Sequence, residues 1–185
     1  GAGSDLQSMK CRAVRDGDYY ILNGSKTFIS NGINADLVVV AAKTDPDAKP
    51  SYRSVSLFVV ERGTPGFERG QPLKKIGLHA QDTAELFFSD CRVPAANLLG
   101  QEGMGFIYLM EKLQQERLMA ALNGLGKAER CLRLTLEYVK TRQLFGKPLS
   151  KFQNTQFELA KIASEIQMGR SALDQIILQH MAGKN

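Results

Sequence analysis

The sequence predicts an α+β protein: an antiparallel β-barrel or sandwich over residues 1–100, followed over residues 101–185 by long antiparallel helices of an incomplete four-helix bundle. Three observations carry that reading. Short β-branched and aromatic runs, separated by turn residues, fill the first part. After Gly100 the apolar residues take 3,4 spacing, and no proline interrupts Gln101 to Lys147. Phe145-Gly146-Lys147-Pro148 then stops one helix and turns the chain into a second.

The strands follow in order. Tyr19-Tyr20-Ile21-Leu22 and Ser25-Lys26-Thr27-Phe28-Ile29-Ser30 flank Asn23-Gly24, the strongest short signal for a β-hairpin turn. Asn31-Gly32 marks a second turn, and Leu37 to Ala42 is an apolar run of strand length. Thr44 to Pro50 is polar and proline-bearing, hence an exposed loop. Val55 to Glu61 reads as a strand, Thr64-Pro65-Gly66 breaks the chain, and Ala84 to Asp90 is the last clear strand. In the helical part, Phe106, Leu109, Met110 and Leu113 begin a stripe that continues irregularly to Val139, and Gly124 and Gly126 weaken it without breaking it. A second helix runs from about Ser150 to Met181 and closes at Gly183. Leu132, Leu136, Phe157, Ile166 and Ile176 lie on more than one face, so two helices cannot cover their own apolar surface. Further helices or a second subunit must do so.

Composition excludes several classes. The net charge of +5 is scattered among acids with no basic run, which argues against a nucleic-acid partner and leaves some positive charge for a phosphorylated ligand. Cys11, Cys91 and Cys131 are odd in number, far apart and form no CxxC pair, and His79 and His180 are the only histidines. Neither a disulfide framework nor a metal site is expected, and a reducing compartment fits best. No apolar run reaches the roughly 18 residues of a membrane span. The chain opens Gly1-Ala2-Gly3-Ser4-Asp5, without an initiator Met or an apolar leader, and reads as part of a longer parent.

Four local motifs are more specific. Gly1-Ala2-Gly3-Ser4-Asp5 resembles the end of a signature in which Thr-Glu-Pro precedes Gly-x-Gly-Ser-Asp. Asn23-Gly24-x-Lys26-x-Phe28-Ile29-Ser30-Asn31-Gly32 resembles Asn-Gly-x-Lys-x-Trp-Ile-(Thr/Ser)-Asn, with Phe28 in place of the usual Trp. Ala80 to Asp90 with Val93 to Gly100 resembles a closing strand and its exit, and Arg142 to Gln153 resembles Arg-x-x-Phe-Gly-x-x-(Leu/Ile)-x-x-x-Gln. Together, in this order, they resemble the acyl-CoA dehydrogenase family, most closely its long-chain type. The resemblance implies a middle β domain over 1–100 and the first part of a C-terminal helical domain over 101–185, with the N-terminal helical domain and the last helices of the family lying outside this sequence.

The resemblance implies FAD as cofactor. Ser4, Phe28, Ile29 and Ser30 would lie beside the flavin ring, where a strand edge offers N–H and hydroxyl donors that stabilise negative charge on the reduced ring. Arg142 would take the pyrophosphate, since a guanidinium forks onto phosphate oxygens. Phe145, Phe152 and Gln153 would frame the adenosine of a neighbouring subunit's FAD, in a homo-oligomer that is a dimer or tetramer. Without the resemblance Phe28 reads as a core residue, and Arg142 as a cation favoured at a helix end.

The family's reaction abstracts a proton from the carbon α to a thioester and moves a hydride from the β carbon to flavin, giving the trans-2-enoyl-CoA of fatty acid β-oxidation. It needs a carboxylate kept dry against an apolar chain. The long-chain and isovaleryl types carry this base on the first long helix, just before Arg-Leu, and here Gln114-Gln115-Glu116-Arg117-Leu118 stands at that position. Leu109, Leu113, Met119 and Ala120 share the helical stripe of Glu116; the plainer alternative is a surface Glu paired with Lys112, in the less favourable order for such a pair. Ser4, Phe106, Ile107, Leu113, Gln114 and Arg117 are expected along the acyl-CoA channel, though Phe106 equally suits a core and Arg117 an ion pair. An electron-transfer flavoprotein is the expected acceptor, and the bacterial cytoplasm or mitochondrial matrix the expected location. An acyl-CoA oxidase or flavin monooxygenase of the same fold is the alternative, and the isolated chain could also act as a non-catalytic interaction module.

Overall fold

The computed structural model describes residues 8–184. Two compact units divide the chain, residues 1–111 and residues 112–185. The first is built on one six-stranded sheet: β1 (Arg12–Asp16), β2 (Tyr19–Ser30), β3 (Leu37–Lys43), β4 (Val55–Glu61), β5 (Phe67–Arg69) and β6 (Thr83–Pro94), in the spatial order β4-β3-β1-β2-β6-β5. All pairings are antiparallel except β1 with β3, which meet in parallel at Arg12 and Lys43. Among the described residues the sheet does not close on itself, so β4 and β5 are its edges. Period-two alternation buries Leu22, Val40, Leu86 and Phe88, and the core centres on Tyr20 against Phe58 at 4.9 Å between ring centroids.

The expected hairpin at Asn23-Gly24 does not form. β2 runs straight through it, and the turn that starts β2 is Gly17-Asp18, between the paired residues Asp16 and Tyr19. Packing decides the matter. A Cβ on Gly24 would lie 2.7 Å from the Cys11 Cα, so the glycine serves a close approach of two strands rather than a reversal. Asn23 is held across the sheet instead: its amide nitrogen donates to the Asp90 carboxylate at 3.1 Å, and its oxygen accepts the Asp90 N–H at 2.9 Å.

The segment after β6 covers the β4 edge. Leu99 N–H donates to Leu57 O at 2.8 Å, and the Asn97 amide donates to Val59 O at 3.0 Å. The fully buried Ser56 hydroxyl bonds Thr44 Oγ1 and accepts the Gly103 N–H, both at 2.8 Å. Helix α1 (Gly105–Thr141) begins here, and its first residue must be glycine-sized because a Cβ would sit 2.9 Å from Val55 O. Tyr20 Oη donates to the Glu102 carboxylate at 2.7 Å and ties the same segment to the core.

The second unit holds the rest of α1, a two-residue ribbon of β7 (Gln143–Leu144) and β8 (Lys147–Pro148), a 3₁₀ turn at Leu149–Lys151, and α2 (Gln153–Met181). Gly124 and Gly126 leave α1 unbroken. The helices run antiparallel: Arg170 forks onto Glu129 with contacts of 2.7 to 2.9 Å, while a cleft nearer the turn is lined by Leu136, Lys140 and Ala163 and another, where the first part of α1 meets the last part of α2, by Gln114, Leu118 and Ile176. Leu136, Phe157, Ile162 and Ile176 stay exposed, as expected of a bundle with only two of its helices.

Candidate functional site

β2 and β6 form a ribbon with two bulges on opposite strands. Between the pairs Leu22–Cys91 and Gly24–Phe88 the extra residue lies in β6, where Asp90 takes φ 47°. Between Lys26–Leu86 and Ile29–Ala84 it lies in β2, where Phe28 takes φ 59°. A left-handed backbone is common for Asp but a true outlier for a bulky aromatic. The bulge turns the Phe28 ring outward, 75% exposed, while Ile29 packs against the core and Ser30 is exposed opposite Thr83. A strained residue persists only where its surroundings over-determine it, and such residues gather at functional sites.

Lys26, on the same strand, points the other way. Its ammonium donates to Ala41 O at 2.7 Å, and burial holds its pKa below the usual lysine range. It is a structural cation tied to β3 rather than part of the exposed surface.

The second cluster lies in the helical unit. Phe145 and Gly146 both take positive φ, 49° and 76°, closing the ribbon through a two-residue turn between the paired Leu144 and Lys147. The Phe145 ring is 88% exposed. The Lys147 ammonium lies 4.4 Å from the centroid of the half-buried Phe152 ring, and Gln153 opens α2. Arg142, just past α1, donates its N–H to Tyr138 O and accepts from Leu149 N–H, both at 2.9 Å. Its exposed guanidinium makes no hydrogen bond or ion pair among the described residues. The turn thus brings Arg142, Phe145, Phe152 and Gln153 together on one short segment: a free cation, an exposed ring and an amide, which is the equipment for a phosphate and an aromatic base.

Glu116 lies on an exposed part of α1, with Gln114 and Arg117 exposed and Leu113 half-buried beside it. It forms no ion pair with Lys112 among the described residues. Phe106 is half-buried against the core of the first unit, 6.0 Å from the Tyr52 ring, and Ile107 is half-buried. Ser4 lies outside the described residues. Among the described residues no group of three His, Cys, Asp or Glu could hold a metal, and no helix is long and apolar enough to cross a membrane.

One feature beside Phe28 escapes sequence reading. The turn 31–36 that follows β2 is held by Arg62 and Arg69 from one side and Asp82 from the other. Asp82 falls within the motif at Ala80–Asp90, but nothing in the residues alone connects it with two arginines 13 and 20 positions earlier.

A mixed sheet with a doubly bulged ribbon, followed by long antiparallel helices with an arginine-phenylalanine turn between them, defines a known architecture. The chain belongs to the acyl-CoA dehydrogenase family: residues 1–91 match the acyl-CoA dehydrogenase middle domain and residues 103–185 the C-terminal domain. It is 47% identical over 180 residues to the mitochondrial long-chain specific acyl-CoA dehydrogenase of Sus scrofa, covering 97% of this chain and 42% of that protein. The crystal structure of an acyl-CoA dehydrogenase from Geobacillus kaustophilus superposes with a TM-score of 0.96 at 63% identity, over all of this chain and 48% of that one. A structure described as the FAD complex of PigA superposes with a TM-score of 0.90 at 33% identity, over all of this chain and 48% of that one. This chain therefore spans about half the length of the relatives it matches.

Proposed function

We propose that the parent of this chain is a homo-oligomeric, FAD-dependent enzyme that oxidises a fatty acyl-CoA, long-chain by preference, to the trans-2-enoyl-CoA. In this reading residues 1–100 are the flavin-contacting β domain and residues 101–185 the first part of the helical bundle. The observation that carries it is the exposed Phe28 on its strained bulge, within a chain 47% identical to a long-chain specific acyl-CoA dehydrogenase.

The residues fit the cofactor. Phe28 can cover a flat ring, and Ser30 and the strand edge beside it can bond the polar rim of that ring; Ser4 would join them. Arg142 has its guanidinium free for a phosphate, and Phe145, Phe152 and Gln153 can hold a purine. When bound, FAD would accept the hydride that leaves the substrate β carbon.

Glu116 is the proposed base. Its carboxylate would take the α-proton, breaking that C–H bond and forming O–H as the electron pair moves between the α and β carbons. Burial by the acyl chain and by the rest of the bundle would strip water from it and strengthen it as a base. Leu113 and Gln114 would line the channel with Phe106 and Ile107, and Arg117 would hold the CoA portion. Reduced enzyme would pass its electrons to an electron-transfer flavoprotein, in the mitochondrial matrix or bacterial cytoplasm.

Anaerobic titration of the full-length enzyme with palmitoyl-CoA, beside Glu116→Gln, tests the reading. The wild type should bleach its flavin, and the variant should bind substrate without bleaching. A variant that bleaches as fast as wild type removes Glu116 from the role. Rapid reoxidation of the reduced wild type by oxygen would point instead to an oxidase of this fold.

A further inference from the structure

The turn that leaves the Phe28 segment is held in an unusual way. Arg62 Nη2 donates to Ile33 O at 2.9 Å, Asn34 O at 2.9 Å and Ala35 O at 3.1 Å. Arg69, at the end of β5, forks onto two of the same oxygens, Ile33 O at 2.6 Å and Ala35 O at 2.7 Å. From the other side, the Asp82 carboxylate accepts Ile33 N–H at 2.7 Å and the Asn34 amide at 3.0 Å, and its backbone oxygen accepts Asn31 N–H at 3.2 Å. Asp36 closes the set on Arg62 Nε at 3.0 Å. Four charged side chains, two of them guanidinium groups on shared acceptors, are committed to one six-residue surface turn.

We propose that Arg69, together with Arg62 and Asp82, is a positioning device that fixes the Phe28–Ser30 segment against the flavin by clamping the turn at its exit. This rests on the reading that Phe28 to Ser30 contact the flavin.

Phe28 at φ 59° and Asn31 at φ 59° are both left-handed, and a bulged strand end with two such residues would relax if its exit were free. The ladder to β6 holds the segment at Ile29–Ala84 and Ser30–Thr83, and then stops. Beyond it three main-chain bonds remain, Gly32 N–H to Ile29 O at 3.2 Å, Ala35 N–H to Asn31 O at 2.8 Å and Arg62 N–H to Asp36 O at 2.8 Å, and the clamp adds the side-chain bonds that grip residues 33 to 35; Gly32 is buried, but the turn offers no large buried apolar side chain as an anchor. Stability alone would not put two like charges on the same oxygens. Burial and the neighbouring Arg62 hold the Arg69 pKa below the usual guanidinium range, which is a cost of the arrangement. The planar fork matters, because a lysine ammonium at Arg69 carries the charge but cannot span the carbonyls of residues 33 and 35 with the same geometry. Arg69 is a positioning residue that acts through the turn.

The test uses full-length enzyme loaded with FAD, comparing Arg69→Lys, Asp82→Asn and Phe28→Ala by thermal unfolding, flavin absorption spectrum and steady-state kinetics with palmitoyl-CoA. Arg69→Lys is expected to stay folded and keep FAD, to alter the flavin spectrum as Phe28→Ala does, and to lower kcat about tenfold with little change in KM. Should Asp82→Asn fail to fold, Arg69→Lys alone decides, since it keeps the charge and removes only the fork. If Phe28→Ala alters the spectrum but the clamp variants change only the melting temperature, the clamp is structural and the proposal is overturned. If Phe28→Ala leaves the spectrum untouched, the flavin does not meet this segment, and the clamp loses its role together with the reading it rests on.

Discussion

Phe28 and Phe145 share one backbone conformation that neither should favour: φ is 59° at the first and 49° at the second, and their rings are 75% and 88% exposed. One sits in a β-bulge and the other in the turn of a two-residue ribbon. A left-handed conformation costs an L-residue roughly 1–2 kcal/mol, and a bulky exposed ring recovers little of that by packing. Both positions therefore lower the stability of the chain while displaying an aromatic face, which is what a ligand platform requires.

The first consequence concerns stability. Phe28→Gly relieves the backbone at a position where glycine carries no steric penalty, which outweighs its entropic cost, and the lost side chain was mostly in water. We expect the melting point of the FAD-free full-length protein to rise, with a gain of about 1 kcal/mol, while FAD retention falls. Thermal unfolding of the apoprotein checks this, and a variant that melts below wild type would show that the ring supports the fold.

The turn at Phe145 makes a parallel case with a different replacement. Both turn residues are left-handed, a pattern for which Asn-Gly is strongly preferred. Phe145→Asn should keep the β7–β8 ribbon and the start of α2, and should leave stability equal or higher. FAD retained through gel filtration should fall, because ring stacking on a base of about 1–3 kcal/mol would be lost. Undiminished retention would remove Phe145 from the cofactor site.

The same two segments show what was legible in the sequence. The fold class, the strand runs at Leu37 and Val55, the unbroken α1 and the turn at Phe145 follow from periodicity and from proline placement, and the motifs led to the family. Asn23-Gly24 misled, because turn propensity is local and cannot register that Cys11 lies 2.7 Å from where a Cβ would stand. The real reversal is Gly17-Asp18, between the paired Asp16 and Tyr19. The strain at Phe28 and the convergence of Arg62, Arg69 and Asp82 are properties of strand register, which no single-residue preference encodes. The exposure of Glu116 is equally illegible: the apolar stripe around it suggests burial, yet among the described residues Glu116 is exposed.

Cys11 and Cys91 give a pH dependence whose sign is fixed by their burial. Both thiols are shut away from water, at 1% and 0% exposure. Burial pushes the Cys91 pKa up to about 11 with Cys11 adding to the shift, and burial likewise raises Cys11, partly offset by the Lys26 charge. From the ordinary thiol range near 9 up to about 11, the unfolded chain has released the Cys91 proton and the folded chain still holds it. Unfolding is therefore favoured as pH rises through that window, and the stability present below it is lost. Lys26 works in the opposite sense, since its lowered pKa means that the folded chain sheds a proton before the unfolded one does. The thiol part is isolated by comparing wild type with Cys91→Ala in urea at pH 8 and pH 10.5. Wild type should lose more stability between those two values than the variant does, by roughly 2 kcal/mol or less. Equal losses in the two proteins would mean that Cys91 ionises as readily in the folded chain as in the unfolded one, and that its burial is not maintained in solution.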